Sequence, residues 1–158
     1  PEKFIPLVAT NAIDGEPLPL SGDGRQCRDW LSVYDHAAGI QHVFEQGEPG
    51  TVYNVGGGNE RENITVAEQI VATLGKSRSL IRFVQDRPGH DRRYSIDCRR
   101  LRALGWSPQV PFEEGLKQTV EWYRTHESWW RTIKSGEFKD YYQQQYAKRL
   151  QQGTACGL

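Results

Sequence analysis

Arginine is concentrated in one segment of the sequence, residues 78–102, which holds eight arginines against three aspartates. Within it, the stretch from Asp86 to Tyr94 places arginine and histidine around Pro88-Gly89, a turn signal in which glycine allows close backbone approach. Guanidinium groups offer paired donors to phosphate oxygens, and an imidazole can add a third. The pattern predicts an anion-binding turn. The alternative left open is a solvated loop whose arginines pair with Asp86 and Asp91.

Four residues elsewhere in the chain could contribute to such a site. Arg28 could be oriented by the aspartate and tryptophan that follow it, or these residues could form only a turn with a structural ion pair. Asn54 and Asn63 flank a triple glycine, and the amide of Asn63 could donate to a phosphate or merely support a turn. Lys3 could pair with an anion or point into water.

The 158 residues lack the motifs of common catalytic and cofactor sites. There is no P-loop, no GxGxxG motif after a predicted strand and no GxSxG elbow. Neither the four histidines nor the three cysteines show metal-ligand spacing. We therefore predict no catalytic, cofactor-binding or metal-binding residue in this chain.

Composition indicates a globular chain, with 37% hydrophobic and 25% charged residues. Twenty basic and twenty acidic side chains give zero formal net charge, which argues against nucleic acid as a partner. No apolar run approaches the roughly 18 residues of a membrane span, there is no signal-peptide pattern, and the cysteines fit a reducing compartment, so we expect a cytoplasmic protein with no membrane partner. Because methionine is absent, we also expect the native protein to have further amino-terminal residues.

Hydrophobic periodicity, punctuated by glycine and proline, predicts an α/β fold with a mixed sheet. Helices are predicted over residues 4–13, 34–46, 65–74, 97–104, 112–133 and 138–150. The third of these starts at a capping box formed by Thr65 and Glu68. Strands are predicted over residues 18–20, 28–33, 51–55 and 80–84, and the third of these is expected to be buried.

Several of these pieces occur together, in one order, in a known family. They are Arg28-Asp29-Trp30-Leu31, Tyr53-Asn54-Val55-Gly56-Gly57, the stretch from Asp86 to Asp97, Leu104-Gly105-Trp106 and Thr119-Val120-Glu121-Trp122-Tyr123. From Pro1 to about Lys148 the chain resembles the carboxyl-terminal part of the dTDP-glucose 4,6-dehydratases, which are extended short-chain dehydrogenase/reductases. The resemblance implies a small mixed-sheet substrate-binding lobe over residues 1–150, without the Rossmann cofactor domain, and a frayed tail over residues 151–158.

The resemblance further implies that the chain binds a nucleotide diphosphate sugar similar to dTDP-glucose. The family's substrate contacts fall on Lys3, Phe4, Pro19, Leu20, Ser21, Arg28, Asn63, Asp86, Arg87, Pro88, Gly89 and His90. In this interpretation Arg28, Arg87 and Asn63 cradle the pyrophosphate with help from His90, while the strand ending at Ser21 flanks the base. The family usually has an aromatic residue in place of Ser21, so weaker stacking on the nucleotide is expected.

Full-length members of the family use NAD, and their cofactor and catalytic residues match positions before Pro1. The chain alone is therefore not expected to catalyse the family reaction. With the Rossmann lobe missing, an apolar helix face and a strand edge within residues 34–58 would be exposed, and self-association through them is expected. Two alternatives remain open: a truncated remnant without nucleotide-sugar activity, and a module that binds polyanions or another protein.

Overall fold

The computed structural model describes residues 3–147 and 149–150, apart from the side chains of residues 137 and 147. The helices are α1 (Phe4–Asp14), α2 (Val33–Gln46), α3 (Asn63–Thr73), α4 (Arg99–Ala103), α5 (Phe112–Thr125), α6 (Glu127–Ser135) and α7 (Glu137–Tyr142), with a 3₁₀ turn at Arg78–Leu80 and a π-helical segment at Gln143–Ala147. The strands are β1 (Leu18–Ser21), β2 (Cys27–Asp29), β3 (Glu60–Glu62) and β4 (Ile81–Val84). The predicted frayed tail lies outside the described residues.

Two small sheets organise the described residues, which confirms the predicted mixed α/β fold. β1 pairs with β4 in parallel, with Leu18 opposite Ile81 and Ser21 opposite Val84. β2 pairs with β3 in antiparallel fashion. Parallel neighbours need a long crossover, and here α2 and α3 lie between the two strands in the sequence. The strands are thus divided between two sheets, whereas the sequence suggested one.

The hydrophobic core lies where α1, α3 and α5 cover the β1–β4 pair. Each helix contributes apolar residues spaced three or four positions apart, which places them on one face. Val8 and Ala12 of α1, Ile70 of α3 and Val120 of α5 are almost completely buried in this core, together with Leu18 of β1. Burying each large aliphatic side chain contributes about 1.5–3 kcal/mol. The core therefore fixes the carboxyl end of β1 beside that of β4.

Residues 51–55 do not form the buried strand that the sequence predicts. A strand needs a hydrogen-bonded neighbour, and the described part of the chain places none beside this segment. Val52 is 74% exposed there, and Asn54 donates from Nδ2 to the carbonyl of Asp97 at 2.9 Å. The prediction of a buried strand over residues 51–55 is therefore wrong: the segment has the apolar pattern of a strand but no hydrogen-bonded neighbour among the described residues.

The predicted capping box at Thr65 is also wrong, because α3 begins two residues earlier, at Asn63. The backbone N–H of Asn63 donates to the carbonyl of Gln26 at 3.0 Å, which ties the start of the helix to β2. Glu68 forms a salt bridge with Arg78 at 2.7 Å instead of capping the helix. The preceding strand β3 is a run of charged residues, so no hydrophobic alternation could have predicted it.

The helix predicted over 112–133 is divided at His126. The ring of His126 stacks on Trp122 with centroids 4.6 Å apart, and Trp130 donates from Nε1 to the carbonyl of Tyr123 at 2.7 Å. These contacts turn α6 back towards the core, where Lys134 reaches Asp14 of α1 at 2.7 Å. None of the helices among the described residues has the length and apolar character needed to cross a membrane.

A buried carboxylate connects α2 to the segment that precedes α5. Asp35 is 4% exposed, and its two oxygens accept the backbone N–H groups of Gln109 and Val110 at 2.9 and 3.0 Å. Each hydrogen bond to a charged group is worth about 1.5–3 kcal/mol. This contact holds α2 against the rest of the lobe.

Replacing Asp35 with alanine should lower the free energy of unfolding by roughly 2–4 kcal/mol, because two backbone N–H groups lose their acceptor. Urea denaturation measures the change, with Glu48→Ala, at an exposed carboxylate, as the control. A loss no larger in Asp35→Ala than in the control would contradict the role given to this carboxylate.

Candidate anion-binding site

The arginine-rich segment is attached to β2 by two backbone hydrogen bonds. Cys27 donates to the carbonyl of Arg92 at 2.7 Å, and Tyr94 donates to the carbonyl of Cys27 at 3.0 Å. Cys27 also forms an isolated parallel bridge with Arg93. This pairing brings the loop after β4 alongside Arg28, although the two lie about sixty positions apart in the sequence.

The guanidinium group of Arg28 is held by three acceptors and an aromatic ring. Nη1 donates to the carbonyl of Cys27 at 2.7 Å, and Nη2 donates to the carbonyl of Asp91 at 3.0 Å. Nη2 also lies 3.2 Å from Nε2 of His90. The Cζ atom lies 4.3 Å from the centroid of the Tyr94 ring, a cation–π contact. The direction of this cation is thus fixed by the protein before any ligand arrives.

His90 connects Arg28 to a carboxylate. Nδ1 of His90 lies 2.6 Å from Oδ1 of Asp86, and the His90 side chain is 10% exposed. Partial burial raises the pKa of Asp86, but hydrogen bonds from His90, from the backbone N–H of Arg87 and from Gln26 outweigh it and leave the pKa below its ordinary value. Asp86 is therefore ionised at neutral pH and anchors the imidazole.

The turn between Asp86 and His90 presents Arg87 to solvent. Gly89 has a φ of +67°, a left-handed conformation that favours glycine, and the backbone N–H of His90 closes the turn on the carbonyl of Arg87 at 3.2 Å. A hydrogen bond to Asp91 raises the pKa of Tyr94, and the positive charges of Arg28 and Arg87 oppose that rise. Both cations thus influence the same phenol.

Half of the arginines in residues 78–102 are held by carboxylates, but the partners are not the Asp86 and Asp91 that the ion-pair alternative predicted. The pairs are Arg78–Glu68, Arg92–Asp23, Arg93–Glu60 and Arg99–Asp97, with N–O distances of 2.6–2.7 Å. Hydrogen bonds from the arginines lower the pKa of Asp23, Glu60 and Asp97 to about 2. Among the described residues, neither Arg28 nor Arg87 forms a salt bridge with a carboxylate, so their positive charges are not neutralised in this way.

The predicted site residues on β1 and α3 adjoin this cluster from the other side. Pro19 and Leu20 are buried and Ser21 is half-buried at the end of β1. The next residue, Gly22, packs so closely on Asp86 that a Cβ there would lie 3.0 Å from Oδ2 of that carboxylate. Asn63 is buried in the first turn of α3, and its Oδ1 has no hydrogen-bond partner among the described residues.

Lys3 and Phe4 lie in a different place, at an apolar cavity of about 770 Å³. Phe4 approaches Trp30 there, with ring centroids 6.1 Å apart, and Phe112 and Trp122 also line the cavity. None of Arg28, Arg87 and His90 lines it. Trp30 nevertheless follows Arg28 by two positions, so the cavity and the basic cluster lie along the same short stretch of chain.

Sequence reasoning missed two residues of the cluster. Tyr94 supplies the ring under Arg28, and Gln26 donates from Nε2 to Oδ2 of Asp86 at 2.8 Å. Tyr94 ends the stretch that the sequence singled out, so its aromatic ring beside arginines was a usable signal. Gln26 gave none, because a glutamine beside a turn reads as exposed.

Comparison with known proteins places the chain in a family. The profile of the GDP-mannose 4,6 dehydratase family matches residues 1–119. The dTDP-glucose 4,6-dehydratase 1 of Escherichia coli K12 is 46% identical over 157 residues, which cover 94% of this chain and 44% of that protein. The dTDP-glucose 4,6-dehydratase of Xanthomonas campestris is 50% identical over 149 residues, which cover 88% of this chain and 42% of that protein.

A solved structure gives the same result. The dTDP-glucose 4,6-dehydratase from Bacillus anthracis, crystallised in complex with NAD, matches with a TM-score of 0.79 and 48% identity over 84% of this chain and 42% of its own. The chain thus spans less than half the length of the relatives that it matches. It belongs to the GDP-mannose 4,6-dehydratase family, and its similarity is to the carboxyl-terminal part of the dTDP-glucose 4,6-dehydratases.

Proposed function

We propose that the cluster around Arg28 binds the diphosphate of a dTDP-sugar, and that the chain is the substrate-binding part of a dTDP-glucose 4,6-dehydratase. The observation that carries the proposal is the fixed guanidinium group. Of its five N–H donors, three are directed at Cys27, His90 and Asp91. The Nε–H and one hydrogen on Nη1 are left for phosphate oxygens, with Arg87 as the second cation.

The names of the relatives suggest the ligand, and the part of their length that this chain does not match limits what we propose for it. They are named dTDP-glucose 4,6-dehydratases, and one was solved with NAD. We assign NAD and catalysis to the part of the full-length relatives that this chain does not match, and to this chain only the holding of substrate.

The alternative of a polyanion-binding module is less favourable. Four of the arginines that suggested it are held by carboxylates, and the formal net charge of the chain is zero. A polyanion site needs many unpaired cations and gives steeply salt-dependent binding. The geometry around Arg28 instead suits one compact anion.

Arg28→Ala should weaken binding of dTDP about 10- to 100-fold, because a charge-assisted contact worth roughly 1.5–3 kcal/mol is lost. Isothermal titration with dTDP measures the dissociation constant. Arg78→Ala is the matched control, since Arg78 pairs with Glu68 on α3, and it should leave the dissociation constant unchanged.

Wild-type protein that gives no heat with millimolar dTDP would support the remnant without binding activity. Binding of single-stranded DNA that falls steeply with salt, combined with indifference to dTDP, would support the polyanion module.

We further infer that the exposed side of α2 mediates self-association of the isolated chain. Val33, Ile40 and Phe44 are 72%, 54% and 90% exposed, and with Ala37 they follow the 33-37-40-44 spacing of a two-helix seam. Val52, from the unpaired segment after α2, adds to the apolar surface. A seam of this kind is self-complementary in a two-fold dimer, so the proposed occupant is a second copy of the chain.

Light scattering across a range of concentrations should show a dimer that Phe44→Glu converts to a monomer, because a buried charge at the seam lacks a partner. Gln46→Glu places the same charge on a different side of the helix and should leave the dimer intact. A wild-type chain that stays strictly monomeric at every concentration would refute the inference.

A further inference from the structure

Gln26 is a buried polar residue of the cluster, and its side chain contacts Asp86 but not Arg28. The residue directly precedes β2, and its side chain is 2% exposed. Nε2 donates to Oδ2 of Asp86 at 2.8 Å, whereas Oε1 is buried without a hydrogen-bond partner among the described residues. An unpartnered buried oxygen is destabilising, so the amide calls for an explanation other than stability of the fold.

The amide is the first member of a chain of directed hydrogen bonds. Gln26 holds one oxygen of Asp86, and the other oxygen of Asp86 faces Nδ1 of His90 at 2.6 Å. Nε2 of His90 faces Arg28, which can only donate. Nε2 must therefore accept, and Nδ1 must carry the proton that is donated to Asp86. Together these contacts fix one neutral tautomer of the imidazole.

Gly22 closes the remaining side of the carboxylate. Its backbone lies so close to Oδ2 of Asp86 that even a methyl group would contact that oxygen. Asp86 is thus confined by Gly22 and directed by Gln26. Without the amide, Asp86 keeps, apart from His90, only the backbone N–H of Arg87, at 2.9 Å from Oδ1, and the carboxylate can turn about that contact. His90 then loses its fixed acceptor, and the imidazole no longer offers a constant lone pair to Arg28.

We propose that Gln26 is a positioning residue, which acts through Asp86 and His90 to set the direction of the Arg28 guanidinium group for a diphosphate. The proposal rests on the proposed function for its ligand, but the hydrogen-bond chain itself exists in the free protein. It predicts that removing the amide leaves the fold intact and changes the tautomer of His90 and the affinity for the diphosphate.

Gln26→Leu tests the proposal because leucine has a similar volume and removes both the donor and the unpartnered oxygen. The fold should tolerate it, since Asp86 is 37% exposed and exchanging water can solvate the freed oxygen without holding the carboxylate in one direction. Gln69→Leu is the matched control: this glutamine lies on α3 and also has a buried Oε1 without a partner among the described residues. Thermal unfolding checks that both variants fold.

The decisive readout is the long-range ¹H–¹⁵N spectrum of ¹⁵N-histidine-labelled protein above the usual histidine pKa, with His90 assigned through His90→Asn. Wild-type protein and Gln69→Leu should show His90 protonated on Nδ1 alone. Gln26→Leu should show a mixture of tautomers, with dTDP bound about tenfold more weakly.

Two results would overturn the proposal: a wild-type His90 protonated on Nε2, or a Gln26→Leu protein whose tautomer and dTDP affinity both match wild type. Failure of the wild-type protein to bind dTDP would instead refute the proposed function, and the tautomer in the free protein would still decide the role of Gln26.

Discussion

The pairing of β2 with the segment after β4 is the constraint on which the candidate site depends. Two backbone hydrogen bonds flank Cys27, one from its own N–H to Arg92 and one from Tyr94 to its carbonyl. Without them, Arg28 and the turn from Asp86 to His90 would be separate surface features. With them, a guanidinium group, an imidazole and a phenol occupy one small region, and their contacts fix each other's orientation. The core beneath, where β1 pairs with β4, supplies the rigid support that such a site needs.

Carboxylates neutralise part of the positive charge of residues 78–102. Carboxylates on β3, on α3 and in the turn after β1 each form a salt bridge with an arginine of residues 78–102. These surface pairs contribute little to stability, but they hold the segment in place and reduce its net field. Arg28 differs from these arginines, because its guanidinium group contacts carbonyl oxygens and a neutral imidazole. These contacts orient its positive charge without neutralising it. That contrast is the reason why anion binding is proposed for Arg28 and not for the paired arginines.

The sequence correctly predicted those helices and strands whose formation depends on neighbouring residues. The apolar spacing of α1 and the glycine that ends it, and the short apolar strands β1 and β4, all match the structure. The errors arise from long-range causes. Residues 51–55 have a strand's pattern but no partner among the described residues, β3 is charged and pairs only because β2 is adjacent, and α6 leaves the direction of α5 to place Lys134 against Asp14 of α1. In the site, Arg28, Asp86 and His90 meet as expected, whereas the buried amide of Gln26 could not be foreseen, since burial is a property of the folded chain.

A crystal structure of the chain with dTDP would test the central claim most directly, because it locates the diphosphate. The account predicts phosphate oxygens within hydrogen-bond distance of both Arg28 and Arg87, with His90 still between Asp86 and Arg28. A diphosphate seated in the apolar cavity beside Phe4 and Trp30, with the two arginines directed away from it, would contradict the account.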